Sequence, residues 1–194
     1  MPKIILATIS PYRREIFACL GIDFEAVGSN VDESQTERKN PEALVKTLSR
    51  LKAEAVAKNY QEAIVIGMDS VAYFKGRILE KPKSKEEAFL RLKSLSGQDG
   101  QFYTGVFMVN TASGKTLAKV VKTELSMRRL SDEEIKKYLD EDQGFNTYAL
   151  GFDTVKHTSA SFIKSIKGSY YNLLAGMPLE AMMDMLRELG YKEE

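Results

Sequence analysis

The chain has 194 residues, of which 43% are hydrophobic, and this is enough to bury the core of a single domain over residues 1–194. Its 28 basic and 27 acidic residues leave a net charge of +1, which excludes the basic surface that nucleic-acid-binding proteins carry. One cysteine excludes an internal disulfide and an all-cysteine metal site, and no apolar stretch reaches the roughly 18 residues of a membrane span. We therefore expect a cytoplasmic protein with no nucleic-acid partner and no membrane partner.

The first half of the chain alternates strand and helix patterns. A buried strand near Ile4 leads into a helix from about Pro11 to Leu20, and Cys19 on this helix is expected to be a small buried hydrophobic residue. A polar loop at 29–41 precedes a second helix from about Pro41 to Lys58. An apolar strand then begins at Ala63 and continues to Phe74.

The second half contains hairpin signals as well as helices. Capping residues predict helices from Ser84 to about Leu95 and from Ser131 to about Asp140. Strands at 102–109 and 116–127 form a hairpin, residues 146–167 are expected to be rich in strands, and a last helix covers Pro178 to Leu189. The predicted fold class is α/β with a mixed sheet, because hairpins exclude a purely parallel one.

The run from Ile4 to Glu15 predicts a site that binds an anion. Ser10 can cap the first helix, and Pro11 fits its first position, where no backbone N–H is needed. Arg13 and Arg14 then lie in a helical turn whose partial positive charge repels cations. A bound phosphate would remove this conflict, and a strand–turn–helix unit commonly binds phosphate.

Two charged residues interrupt apolar patterns. Lys52 lies within the apolar stripe of its helix and must either extend to the edge of the stripe or meet a negative group. Asp69 interrupts a buried strand, so its carboxylate must be paired, bound to a metal or protonated. Gly67 beside it would let a ligand approach the backbone.

Together these residues predict a site for a polyphosphate and a divalent cation. Arg13, Arg14, Lys52 and Lys81 could neutralise the phosphates, whereas Glu33 and Asp69 could hold Mg²⁺ or Mn²⁺ through carboxylate oxygens. Phosphoryl chemistry uses this combination of a positive clamp and a metal.

A set of short motifs, met in this order, resembles the Maf family of nucleoside triphosphate pyrophosphatases. The motifs are Leu6-Ala7-Thr8-x-Ser10-Pro11-x-Arg13-Arg14-x-x-Phe17, Asp32-Glu33, Leu51-Lys52-Ala53, Ile66-Gly67-x-Asp69, Lys81-Pro82, Leu95-Ser96-Gly97, Tyr103-Thr104-Gly105 and Gly176-x-Pro178-Leu179. The resemblance implies an elongated mixed sheet flanked by helices in two lobes with a central cleft, as in inosine triphosphatases. It also implies cleavage of a nucleoside triphosphate to the monophosphate and pyrophosphate, a divalent cation and a homodimer.

The resemblance implies a role for the candidate site residues. Asp69 would be the catalytic acceptor that activates water, and Glu33 would help to hold the cation. Arg13, Lys52 and Lys81 would bind the triphosphate, and Ser10 would bind phosphate at the helix start.

Base specificity depends on positions where the branches of the family differ. The branch that cleaves dTTP and UTP has Ser-Pro-Arg-Arg in the first motif and a threonine after the catalytic aspartate. At the corresponding places this chain has Tyr12 and Ser70. The branch that cleaves 7-methyl-GTP has an aromatic residue at the place of Tyr12, and an aromatic face attracts a cationic methylated base. That branch also uses a late acid, for which Asp153 is the candidate here.

We therefore predict a metal-dependent nucleoside triphosphate pyrophosphatase with 7-methyl-GTP as the first substrate hypothesis. The alternatives are a dTTP/UTP pyrophosphatase of the same family and a non-catalytic nucleotide-binding regulatory module. A structural partner in cell division or assembly is a third possibility, which rests on family association alone.

Overall fold

A computed structural model describes residues 2–192 of the chain. Its strands are β1 (Lys3–Ala7), β2 (Phe24–Ala26), β3 (Ala63–Phe74), β4 (Arg77–Ile78), β5 (Asp99–Asn110), β6 (Thr116–Met127) and β7 (Ile163–Lys167). Its α-helices are α1 (Pro11–Ala18), α2 (Pro41–Ala57), α3 (Lys85–Leu95), α4 (Asp132–Glu141), α5 (Tyr170–Ala175) and α6 (Leu179–Glu188), and Thr158–Ser161 form a 3-10 turn.

The strands form a mixed sheet in the order β2-β1-β3-β5-β6-β7, with β4 paired to β3. β1 runs parallel to both β2 and β3, whereas β4 is antiparallel to β3 and β7 is antiparallel to β6. In the register of β1 and β3, Ala7 lies opposite Gly67. The predicted mixed α/β class is therefore confirmed.

Contacts divide the chain into two compact units. The first unit contains the described residues up to Ser70 together with Tyr103–Val121 and the chain from Ser169. Its core joins β1 and β3 to the apolar faces of α1 and α6, and its buried members are Ile4, Leu6, Phe17, Ile22, Ile64, Ile66, Met68, Val106, Met108, Met177, Leu179, Met182, Met185, Leu186 and Leu189.

The second unit contains Val71–Phe102 and Lys122–Gly168. Here α3 contacts α4, and α4 begins with a capping box in which Ser131 and Glu134 satisfy each other's backbone N–H groups. The buried rings of Tyr138 and Phe162 meet edge to face with centroids 5.7 Å apart, which is a favourable aromatic geometry. The prediction that residues 1–194 form a single domain stays a prediction.

The helices expected from capping residues are confirmed to within a few residues at their ends. Ser10, Ser84 and Ser131 each cap a helix by accepting a backbone N–H, and α2 is capped by Asn40. The predicted strand from Ala63 to Phe74 is also confirmed.

Two expectations are wrong. Residues 146–167 are not rich in strands, because only β7 at Ile163–Lys167 is extended and the preceding segment consists of turns and the 3-10 turn. Cys19 is exposed rather than buried, and Phe17 is the residue that α1 buries. Two short elements, β2 and α5, were not predicted.

Within residues 2–192, no helix combines the length and the apolar character needed to cross a membrane.

Candidate active site

The first part of the site is the junction between β1 and α1. The Ser10 side chain accepts the backbone N–H of Arg13, and Pro11 occupies the first turn of the helix, as predicted. Because Ala7 lies opposite Gly67 in the parallel pair of β1 and β3, this junction follows β1 next to the stretch of β3 that contains Asp69.

Asp69 is the centre of the site. It is only 8% exposed, and its Oδ1 atom accepts a hydrogen bond of 2.6 Å from the Lys52 ammonium group. Burial raises the pKa of the Asp69 carboxyl group, while the charges of Lys52 and Arg13 oppose this shift. Of the three alternatives for Asp69, the structure shows the paired one, and for Lys52 it shows the alternative in which the lysine meets a negative group.

Glu33 completes a three-residue ion cluster with Lys52 and Asp69. Its Oε1 atom lies 2.8 Å from the Lys52 ammonium nitrogen, and its Oε2 atom lies 3.7 Å from a guanidinium nitrogen of Arg38. The Lys52 ammonium group therefore lies between two carboxylates. Arg38 is a site neighbour that sequence reasoning missed, because a charged residue in a polar loop has no pattern that distinguishes it.

Arg13 extends from α1 to β3 and contacts the residues on both sides of Asp69. One guanidinium nitrogen donates to the Met68 carbonyl at 3.0 Å, and the other donates to the Ser70 hydroxyl at 2.9 Å. Desolvation lowers the pKa of Arg13, whereas Asp69 and Glu33 raise it. Arg13 lies in a helical turn where the helix dipole disfavours a cation. Its two hydrogen bonds to β3 offset this unfavourable position.

Ser70 connects Arg13 to a second strand. Its hydroxyl lies 2.8 Å from the hydroxyl of Thr104 on β5, which is completely buried. Gly176 closes this side of the site with φ +63°, and a Cβ atom there would overlap the Ser70 hydroxyl. Thr104 belongs to the Tyr103-Thr104-Gly105 motif, but no sequence pattern predicts its contact with Ser70.

Two glycines let α2 lie directly on the sheet. A Cβ atom on Gly67 would overlap the Ser49 carbonyl oxygen, and one on Gly105 would overlap the Val45 carbonyl oxygen. The expectation that Gly67 leaves room for a ligand is therefore corrected, since the backbone of α2 fills that space. The close packing places Lys52 where its side chain reaches Asp69.

Tyr12 and Arg14 share the first turns of α1 with Arg13. Tyr12 is half-buried, and Arg14 is exposed and lines a surface cavity of about 490 Å³ with Pro11, Glu15, Phe24 and Ala26. No described contact joins Arg14 to Asp69, and the substrate-binding roles of both residues stay predictions.

The remaining two predicted site residues belong to the second unit. Lys81 is exposed after β4. Asp153 is buried, and its carboxylate accepts the backbone N–H groups of Val155 and Lys156 at 2.7 Å and 3.0 Å and the Tyr148 hydroxyl at 3.2 Å. These bonds give Asp153 a structural task in its own loop, and the substrate roles of Lys81 and Asp153 stay predictions.

The chemistry of Glu33 and Asp69 fits the divalent cation that the family resemblance implies. Both side chains offer hard oxygen donors and both contact the same lysine nitrogen. Mg²⁺ is commonly bound by one or two carboxylates together with substrate phosphates. Among residues 2–192, no group of three or more His, Cys, Asp and Glu side chains is arranged to hold a metal ion.

Comparison with known proteins shows the family to which this chain belongs. The family model described as "Maf-like protein" matches residues 3–189. The chain belongs to the Maf family. It is 39% identical over 186 residues to a dTTP/UTP pyrophosphatase of Thermoanaerobacter sp. (strain X514), a match that covers 95% of each chain.

A second relative carries a different substrate in its name. The chain is 35% identical over 196 residues to a 7-methyl-GTP pyrophosphatase of Nitrosococcus oceani, and the match covers 98% of this chain and 94% of that protein. Among solved structures, the Staphylococcus aureus Ham1 protein has a TM-score of 0.55 at 17% identity, covering 96% of this chain and 98% of that one. At this identity the likeness shows a common fold.

Proposed function

We propose that this protein is a metal-dependent nucleoside triphosphate pyrophosphatase, which releases a nucleoside monophosphate and pyrophosphate. The observation that carries the proposal is the buried Asp69, whose carboxylate contacts Lys52 and which lies between two residues bound by Arg13. The cationic groups of Lys52 and Arg13 can bind a substrate with several negative charges. The buried carboxylate of Asp69 can act as the base that its hydrolysis needs. The names of the two relatives support the same reaction type.

The protein's own residues supply binding and proton transfer. Asp69 accepts a proton from water as the water oxygen bonds to phosphorus and the anhydride bond between the α- and β-phosphates breaks. Because burial raises its pKa, Asp69 is a stronger base than an ordinary aspartate. Lys52 and Arg13 neutralise phosphate oxygens, and Ser10 at the start of α1 binds phosphate.

Glu33 and Asp69 would hold the divalent cation, which polarises phosphoryl oxygens when it is bound. This assignment uses the carboxylate oxygens that now contact Lys52.

The substrate that we propose first is 7-methyl-GTP, with dTTP and UTP as the alternative. Tyr12 precedes Arg13 on α1, and an aromatic ring attracts a positively charged methylated base. A panel of triphosphates with released pyrophosphate as the readout tests this choice. Turnover confined to dTTP and UTP would contradict it and would leave the reaction type standing.

The reaction type is tested with Asp69→Asn, and Asp23→Asn, which is exposed between α1 and β2, is the matched control. We expect Asp69→Asn to lose about 10²- to 10⁴-fold in turnover while it still binds nucleotide, because the loss of a general base costs this much. The control should keep the wild-type rate. Equal rates for all three proteins would refute the role of Asp69.

A non-catalytic nucleotide-binding module is the second candidate. It predicts stabilisation by nucleotide without release of pyrophosphate under any divalent cation. The Asp153 carboxylate favours it in one respect, because this candidate for a late substrate-binding acid is engaged within its own loop. The homodimer and the cytoplasmic location remain proposals from the family resemblance.

A further inference from the structure

Lys52 occupies the position between the two carboxylates that would hold the cation. We infer that Lys52 keeps divalent cations out of the Glu33–Asp69 pair in the nucleotide-free protein, so that the cation enters together with the triphosphate. The entry of the cation with the triphosphate rests on the proposed function, whereas the exclusion of the cation by Lys52 does not.

The contacts around the pair show why a free cation is excluded. The Lys52 ammonium nitrogen lies 2.6 Å from Asp69 Oδ1 and 2.8 Å from Glu33 Oε1. The second oxygen of Glu33 faces Arg38 at 3.7 Å. A hard divalent cation must compete for these oxygens with positive groups that already contact three of the four carboxylate oxygen atoms.

The net charge of the side chains around the carboxylate pair also disfavours a free divalent cation. Two carboxylates, Glu33 and Asp69, face three cationic side chains, Arg13, Lys52 and Arg38. The formal charge of this group is positive, so it repels a free divalent cation and attracts a polyphosphate.

A triphosphate reverses this balance. Its oxygens are strong acceptors for ammonium and guanidinium groups, and a lysine ammonium group on a flexible four-carbon stem can turn toward them. Movement of Lys52 toward phosphate would free Asp69 Oδ1 and Glu33 Oε1 for a cation that the same phosphates bind. The lysine side chain is 15% exposed, so one side of it faces the solvent from which the substrate arrives.

The experiment measures Mn²⁺ binding by electron paramagnetic resonance of the free ion, with no turnover required. Wild type is compared with Lys52→Gln, with Lys52→Arg and with Lys46→Gln, which removes the same charge from the exposed face of the same helix. Each protein is titrated alone and with a triphosphate analogue that has a methylene group between its α- and β-phosphates. Circular dichroism verifies that each variant is folded.

We expect wild type, Lys52→Arg and Lys46→Gln to show no saturable site tighter than about 1 mM without nucleotide, and Lys52→Gln to bind at least about tenfold more tightly than they do. The analogue binds Mn²⁺ by itself, so it is also titrated without protein, and wild type with the analogue should take up more Mn²⁺ than that control. Saturable binding to wild type alone below about 1 mM overturns the inference, even if Lys52→Gln does not fold. No gain in a folded Lys52→Gln, an equal gain in Lys46→Gln, or no Mn²⁺ uptake beyond that of the analogue without protein also overturns it.

A separate assay of pyrophosphate release distinguishes this failure from failure of the proposed function. A wild-type protein that releases pyrophosphate but binds Mn²⁺ alone refutes only the exclusion by Lys52. A wild-type protein that excludes Mn²⁺ and releases no pyrophosphate refutes only the proposed function.

Discussion

At the scale of single residues, Asp69 places chemistry and stability in conflict. Its carboxylate is 8% exposed, and burial raises its pKa despite the contact with Lys52. The folded protein therefore holds the proton of this group more tightly than the unfolded chain does. The resulting contribution to stability is complete below the unfolded pKa of about 4 and is lost as the pH rises through the folded pKa.

We expect Asp69→Asn to be more stable than wild type at pH 7.5, since the variant has no buried charge at this position. A gain of about 1 kcal/mol would raise the melting temperature by about 2–4 °C in a chain of this size. At pH 4 the difference should be smaller, because the carboxyl group of wild-type Asp69 gains a proton in the folded protein as the pH falls through its raised pKa. Thermal melts at both pH values measure this effect.

The exposed Asp23→Asn is the control, and its melting temperature should follow wild type at both pH values. A fall in the stability of Asp69→Asn at pH 7.5 would show that the ion pair with Lys52 outweighs desolvation.

Thr104 supports Arg13 through Ser70. Replacement of Thr104 by valine keeps the shape but removes the hydroxyl that lies 2.8 Å from the Ser70 hydroxyl. We expect the free energy of unfolding to fall by about 1–3 kcal/mol, the cost of a buried polar group that loses a partner. Urea denaturation measures this loss, and Thr104→Ser should recover most of it.

The double variant Thr104→Val/Ser70→Ala tests whether the effect acts through Ser70. Its loss should be smaller than the sum of the two single losses, since the residues share one hydrogen bond. Strict additivity would mean that Thr104 does not act through this contact.

Residue patterns anticipated part of the site. Lys52 and Asp69 could be found because each places a charge where the periodicity requires an apolar side chain. Arg38 and Thr104 could not, because a polar residue in a loop and a threonine in a strand are ordinary at those places. Only long-range contacts distinguish them.

At the scale of elements, the packing of α2 on the sheet places Lys52 beside Asp69. The contact depends on Gly67 in β3 and Gly105 in β5, neither of which has a side chain to hold the helix away. Sequence patterns predicted both elements, but they did not show that the glycines face helix backbone rather than a ligand.

We expect Gly105→Ala to lower the free energy of unfolding by about 3 kcal/mol or more, at the upper end of losses caused by overpacking. The new Cβ atom would overlap the Val45 carbonyl oxygen, and a backbone atom in a helix cannot move alone. Denaturant unfolding measures the loss. The control is Gly28→Ala, whose new Cβ atom would meet the exposed Ile9 side chain at 3.1 Å.

Because Ile9 can move, we expect Gly28→Ala to differ little from wild type. Equal stability of Gly105→Ala and wild type would contradict the close packing of α2 on β5.

The incorrect strand prediction for residues 146–167 also has a physical reason. Tyr148, Phe152 and Val155 favour strands by type, but side chains in this segment bond to its own backbone. Asp153 accepts the backbone N–H groups of Val155 and Lys156, and the Ser159 hydroxyl donates to the Asp153 carbonyl. These local bonds compete with strand pairing.

At the scale of the whole molecule, the nearly equal numbers of basic and acidic residues favour a small polyanion such as a triphosphate over a nucleic-acid duplex. A DNA duplex binds to proteins whose many basic side chains displace its counterions. With 28 basic and 27 acidic residues, this chain has almost no excess of such side chains. A triphosphate requires only the few cations of a local cluster such as that of Arg13, Lys52 and Arg38.

We therefore expect no binding of a 20-base-pair DNA duplex tighter than about 10 µM at 150 mM salt, measured by fluorescence anisotropy. The control is a triphosphate analogue with Mg²⁺, which should raise the melting temperature of the same protein sample. Tight duplex binding under these conditions would contradict the expectation that the protein has no nucleic-acid partner.

The sequence alone determined the fold class, most helix starts, the Maf motifs and the two charged residues that interrupt apolar patterns, because propensity, capping and periodicity act between near neighbours in the chain. Tertiary structure alone decided that Lys52 lies between Glu33 and Asp69, that Arg13 bonds to both neighbours of Asp69, and that Thr104 contacts Ser70. These contacts join residues that are far apart in the chain, so they depend on the register of β1 with β3 and on the packing of α2 over glycines. No local pattern encodes either of these.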